Sequence, residues 1–152
     1  MDDMRNDPMM LRSIIMDHYE YPRNHALVNE EAYVQKHMAS DSCIDDITVQ
    51  AKIVQDRIED IRFDGVACTI STASTSIMSE LLKGKTKAQA KAIMDNYFAM
   101  IDGADYDANV LEEAIAFYTV GKQANRIKCA TIGWNAMKEL LETSEDDANE
   151  QG

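Results

Sequence analysis

The chain has 152 residues, 45% of them hydrophobic, and a formal net charge of −12 from 27 acidic against 15 basic side chains. This length supports one domain with a core of its own, while the acidic excess repels nucleic-acid phosphates and anionic membrane surfaces. No apolar run approaches the length of a membrane span, so neither nucleic acid nor membrane is expected as a partner. The N-terminus, MDDMRNDPMM, lacks the basic-then-apolar pattern of a secretory signal. Three cysteines are an odd count for a disulfide framework, so a cytoplasmic setting with free thiols is expected.

In chain order, Leu11, Ile14, Ile15 and Tyr19 recur at helical spacing, and Pro22 stops the pattern, which predicts an amphipathic first helix over 9–19. A polar loop with His25 and His37 follows. ITVQAKIV then places Ile47, Val49, Ala51 and Ile53 on one face, a strand pattern, and QDR makes a turn into IEDIRF as a second strand. Asp64-Gly65 reads as a hairpin turn into VACTI, a third strand with Val66, Cys68 and Ile70 on one face.

The second half is helical. STASTSIMSELLK ends at Gly84, and KTKAQAKAIMDNYFAMIDG carries a Thr86/Gln89 capping box with Ile93, Met94, Tyr97 and Ile101 as its core stripe. A shorter helix is expected from about Asn109, with Leu111, Ala114, Ile115 and Tyr118, to Gly121. The last, from about Asn125 to Leu141, buries Ile127, Ala130, Trp134, Met137 and Leu141. Strands followed by helices predict an α+β class: a three-stranded antiparallel sheet packed on one side by helices. The domain is expected over 1–142, with 143–152 as an acidic disordered tail.

The chemistry rests on cysteines. Cys43 lies among acids before the first predicted strand, Cys68 at the junction of the third strand and the next helix, and Cys129 near the start of the last helix. Their spacing matches no paired CxxC zinc pattern, so structural thiols and a metal or reactive-sulfur site both stand as readings. Around Cys43 an extended chain puts Cys43 and Asp45 on one face and Asp46 on the other. Three thiolates and one carboxylate would fill a tetrahedral zinc shell. Arg126, three residues before Cys129 on a helix, is a candidate electrostatic neighbour favouring a thiolate, and Cys68 precedes a helix whose dipole does the same. The histidines show no HxH or HExxH spacing and read as surface or packing residues; no phosphate loop or nucleophile elbow occurs.

IMDHYEYPRN, the Cys43-x-Asp45 pair, DGVACTISTASTSIMSELLKGKT and RIKCATIGW together resemble the SufU proteins, a branch of the IscU-like (NifU N-terminal-like) iron–sulfur cluster assembly scaffolds. The resemblance runs from about Leu11 to Leu141. YDANVLEEAIAFYTVGKQAN is similar to the insertion that separates SufU from IscU; the LPPVK motif of IscU is absent, and Arg126 stands where IscU has histidine. The resemblance implies a zinc site of Cys43, Asp45, Cys68 and Cys129, with iron or an iron–sulfur cluster as the alternative occupant. It implies a SufS-like, pyridoxal-phosphate-dependent cysteine desulfurase as partner, with Cys43 as sulfur acceptor, and downstream assembly or apo iron–sulfur proteins as recipients. On this reading the protein is at most a zinc-dependent sulfurtransferase; a cluster scaffold and a metal-free interaction module with structural cysteines are the rivals. Two departures stand out: Ile44 and Ala67 occupy places where the family usually has glycine.

Overall fold

The structure is a computed structural model that describes residues 7–39 and 44–151, with side chains as far as residue 143. Helix α1 (Pro8–Glu20) starts where the Asp7 carboxylate accepts the Met10 amide and Pro8 occupies the first turn. Its inward residues are Leu11 and His18, with Ile14 and Ile15 partly buried, whereas Tyr19 is exposed. The buried stripe thus turns one residue short of the expected one, and a histidine lies at its end. His18 is satisfied there: Nδ1 lies 2.8 Å from Ser76 Oγ, and Nε2 lies 3.4 Å from Glu113.

Strands β1 (Tyr33–Ala39), β2 (Asp46–Val54) and β3 (Arg57–Val66) form an antiparallel meander in that order. The α+β class and the three-stranded sheet are as expected, but the membership differs. The segment read as a polar loop supplies β1, paired from Tyr33 opposite Lys52 to Ala39 opposite Asp46. Its pattern is weak because it is an edge strand: Lys36 sits opposite Val49 on the core side and reaches out to Glu139, at 3.9 Å. VACTI is not a strand. β3 continues through the Asp64-Gly65 pair, and Gly65, at φ +138°, uses its freedom to approach β2 rather than to reverse the chain. The reversal between β2 and β3 falls in the expected QDR turn, at Gln55 and Asp56, both at positive φ in a two-residue turn.

One face of the sheet packs against helices α2 (Thr69–Leu82) and α4 (Ala124–Gln151). Helix α2 is central and rich in small hydroxyl residues, which let neighbours approach closely; their buried oxygens are paired, as with Thr75 Oγ1 on the Ser71 carbonyl and Ser79 Oγ on the Ser76 carbonyl. Helix α3 (Lys87–Asp102) has the expected reciprocal Thr86/Gln89 capping box and ends at Gly103 in the left-handed region. The expected short helix is instead a series of 3-10 turns at Ala108–Val110, Glu112–Phe117 and Val120–Lys122, interrupted where Glu112 takes φ +46°. Leu111, Ala114 and Ile115 are buried there all the same.

Ala130, Trp134, Met137 and Leu141 of α4 face the core as expected. Trp134 stacks flat on Tyr97 with ring centroids 3.7 Å apart and donates from Nε1 to Ser74 Oγ. Buried packing along α4 reaches Leu140 and Leu141, but the helical backbone runs on to Gln151, since nothing between them is glycine or proline. Among the described residues no helix is long and apolar enough to cross a membrane.

Candidate metal centre

Three chain segments converge at the N-terminal end of α2. Strand register brings the first two together: Asp46 pairs with Val66, so Asp45, just before β2, lies beside the chain as it leaves β3 toward Cys68. Gly65 makes that pairing close, because a Cβ there would lie 2.0 Å from the Asp46 carbonyl oxygen. Cys68 then caps α2, its sulfur accepting the Ser71 amide at 3.4 Å. The Cys68 amide in turn donates to Asp45 Oδ1 at 2.9 Å, and Ser71 Oγ donates to Asp45 Oδ2. A carboxylate from a strand end thus takes the place that an acidic third residue of the helix fills in a capping box, where the helix dipole favours negative charge.

Cys129 arrives from the opposite side on α4. Helix α4 can lie close to α2 because Gly133 faces Thr75; a Cβ at 133 would stand 2.3 Å from Thr75 Oγ1 and 2.9 Å from its Cβ. Gly133 is one turn beyond Cys129, and Thr75 one turn beyond Ser71, so this contact sets the gap across which the thiols face each other. The Ala130 carbonyl, beside Cys129, accepts from both Ser74 Oγ (2.6 Å) and Tyr97 Oη (2.7 Å), which holds α4 in register.

Replacing Gly133 by alanine gains up to about 1 kcal/mol of helix propensity. Overpacking against a β-branched, fully buried neighbour costs about 1–3 kcal/mol and prevails. Thermal denaturation is expected to show a lowered Tm for Gly133→Ala and a partial return in the double variant with Thr75→Ala, which removes the two closest atoms.

The ligand atoms of Asp45, Cys68 and Cys129 all lie within 4.8 Å of one another. Asp45 is 1% exposed and Cys129 8%, while Cys68 is half-buried. Burial, and then the neighbouring Cys68 thiol and Asp45 carboxylate, push the Cys129 thiol up to about 12. Three potential anions this close oppose one another's ionisation, and a cation among them reverses that preference. In a tetrahedral thiolate–carboxylate shell, donor atoms stand about 3.5–3.8 Å apart. Cys68 Sγ and Asp45 Oδ2 are 3.9 Å apart here, near that spacing, and the donor set of one carboxylate and two thiols within 4.8 Å fits a metal ion.

Of the other residues singled out in the sequence, Cys43 lies outside the described residues. Ile44, next to Asp45, is 66% exposed. Asp46 points away from the cluster to His37, its Oδ1 2.6 Å from Nε2. Arg126 is exposed on the first turn of α4. Ser71, Gly65 and Gly133 had no signal in the sequence as parts of a site; STAST and TIGW read there as ordinary helix.

Comparison with known proteins accords with this geometry. The sequence profile of the NifU-like N terminal domain matches residues 10–145. The chain is 38% identical over 133 residues to the iron-sulfur cluster assembly scaffold protein IscU of Streptococcus pyogenes serotype M1, covering 87% of this chain and 82% of that protein. It is 37% identical over 130 residues to the zinc-dependent sulfurtransferase SufU of Bacillus subtilis strain 168, covering 85% and 87%. A crystal structure of a putative iron-sulfur cluster assembly scaffold protein for the SUF system, from Fervidobacterium islandicum AW-1, superposes with a TM-score of 0.78 at 33% identity, covering 89% of this chain and 98% of that one. With its sheet, its Asp45–Cys68–Cys129 cluster and a profile match over nearly its whole length, the chain belongs to the NifU-like N-terminal domain family, whose members include proteins named IscU and SufU.

Proposed function

We propose that this protein is a zinc-binding sulfur acceptor in iron–sulfur cluster assembly, working with a pyridoxal-phosphate-dependent cysteine desulfurase of the SufS type. The observation that carries this reading is the convergence of a buried carboxylate and two thiols from three chain segments. Asp45, Cys68 and Cys129 would hold zinc, and Cys43, two residues before Asp45, would complete the shell with a third sulfur. Bound zinc keeps its sulfur ligands unprotonated at neutral pH. The Cys43 thiolate would attack the outer sulfur of the desulfurase persulfide. The S–S bond breaks, the desulfurase cysteine leaves as thiolate, and Cys43 carries the persulfide with no net electron transfer. Asp45, Cys68 and Cys129 hold their positions through the strand pairing and helix contacts described above. The name of the Bacillus subtilis relative supports this assignment.

The test is metal analysis of the purified protein followed by a desulfurase assay. Stoichiometric zinc and a large rise in desulfurase turnover, lost in Cys43→Ser, are expected; zinc-free protein with unreactive thiols would leave it an interaction module. The name of the streptococcal relative favours a second reading, a scaffold on which a cluster is built as cargo. A stable cluster formed on these thiols, without any stimulation of the desulfurase, would select it.

Ile44 gives a further expectation. Isoleucine disfavours backbone angles that glycine adopts freely, and its exposed side chain contributes little packing. Ile44→Gly is expected to keep its zinc and accept sulfur faster, measured as the rate of persulfide formation with the desulfurase; an unchanged rate would show the missing glycine to be immaterial.

A further inference from the structure

The geometry points to Ser71 as a positioning residue for the Asp45 carboxylate: we propose that its hydroxyl, together with the Cys68 amide, sets the direction in which Asp45 offers oxygen to a metal ion. The inference rests on the assignment of Asp45 as a zinc ligand. Ser71 is wholly buried in α2, three residues after the Cys68 cap. Hydroxyls buried on a helix commonly return to its own carbonyls one turn back, as Thr75 and Ser79 do here. Ser71 instead turns its proton out of the helix onto Asp45 Oδ2.

The Cys68 amide holds the other oxygen, Oδ1, at 2.9 Å. Donors on two different oxygens, one from Cys68 and one from Ser71, fix the plane of the carboxylate about its Cβ–Cγ bond. Each carboxylate oxygen has two lone pairs, so the serine bond uses one of the two on Oδ2. Ser71 is itself held, with its amide on Cys68 Sγ at 3.4 Å and its carbonyl accepting from Thr75 Oγ1 at 2.8 Å. Its Oγ also lies 3.3 Å from Cys68 Sγ, so one side chain touches two of the three donor groups. Outer partners of this kind orient a ligand, and their loss typically costs about 10–100-fold in metal affinity.

The experiment compares Ser71→Ala, Ser71→Thr and Asp45→Ala with the unmodified protein. Zinc affinity is read by competition with a chromogenic chelator, coordination geometry by the visible spectrum of the cobalt(II)-substituted protein, and stability by the Tm of the metal-free form. Ser71→Ala is expected to bind zinc about 10–100-fold more weakly, with altered cobalt bands. Ser71→Thr, which keeps the hydroxyl, is expected to restore both. If Asp45→Ala loses zinc while Ser71→Ala keeps the original affinity and spectrum, the serine inference is overturned and the ligand assignment stands, even if the Tm of Ser71→Ala falls. If neither variant alters zinc binding, the ligand assignment fails and the inference with it.

Discussion

Asp45→Ala is expected to strip the protein of zinc, while Asp46→Ala leaves its zinc content nearly unchanged. The two carboxylates are adjacent in sequence and opposite in environment. Asp45 is buried against Cys68 and Cys129, and its removal takes away one donor directly. The loss should therefore exceed the roughly 10–100-fold typical of an outer partner. Asp46 is exposed and meets His37 at 2.6 Å with both side chains more than half exposed, a surface pair of at most about 1 kcal/mol. Because Asp45 also accepts the Cys68 amide, Asp45→Ala loosens the start of α2 as well. Asp45→Asn separates the two effects: it keeps an oxygen for the amide but lacks the charge a dication needs, so its metal-free form should melt near the original Tm while its zinc affinity falls. Equal zinc loss in the Asp45 and Asp46 variants would sink the assignment of Asp45 as the ligand.

Gly65→Ala is expected to be the most damaging single methyl group near the site. Its φ of +138° is a conformation almost confined to glycine, costing any other residue about 1–3 kcal/mol. The added Cβ would also meet the Asp46 carbonyl oxygen at 2.0 Å and its carbon at 3.0 Å. These are backbone atoms in a paired strand, so no rotamer change relieves the clash. Overpacking adds about 1–3 kcal/mol, for a combined cost of several kcal/mol. In a domain of this size each kcal/mol lowers the Tm by about 2–4 °C. The same displacement moves Cys68 away from Asp45, so zinc affinity should fall together with Tm. A variant with normal stability and normal zinc binding would contradict the role given to this close approach.

What could be read from the sequence was local and periodic. β2 was visible from the alternation of Ile47, Val49 and Ala51, α3 from the Thr86/Gln89 cap, and the packed part of α4 from Ala130, Trp134, Met137 and Leu141, because each signal lies within one element. The same period of two separated Asp45 from Asp46, since neighbours on extended chain face opposite ways. The placement of Cys68 and Cys129 near element ends was legible too, and the resemblance to known assembly proteins tied these residues to metal.

The edge strand β1 was missed because half of it faces solvent and a lysine occupies a core-side position, leaving no clean alternation. The Asp64-Gly65 pair misled because a turn and a close strand contact demand the same residue: both need a backbone without Cβ, and sequence does not say which use is made of it. The sequence thus determined which residues could carry the chemistry: three thiols, an alternating pair of acids and the helices and strand that bear them. Only the tertiary structure decided how Asp45, Cys68 and Cys129 meet, through the approach of β3 to β2 at Gly65 and of α4 to α2 at Gly133, and that Ser71 turns its hydroxyl to the carboxylate. Those are contacts between segments far apart in the chain, and no pattern within a single element encodes them.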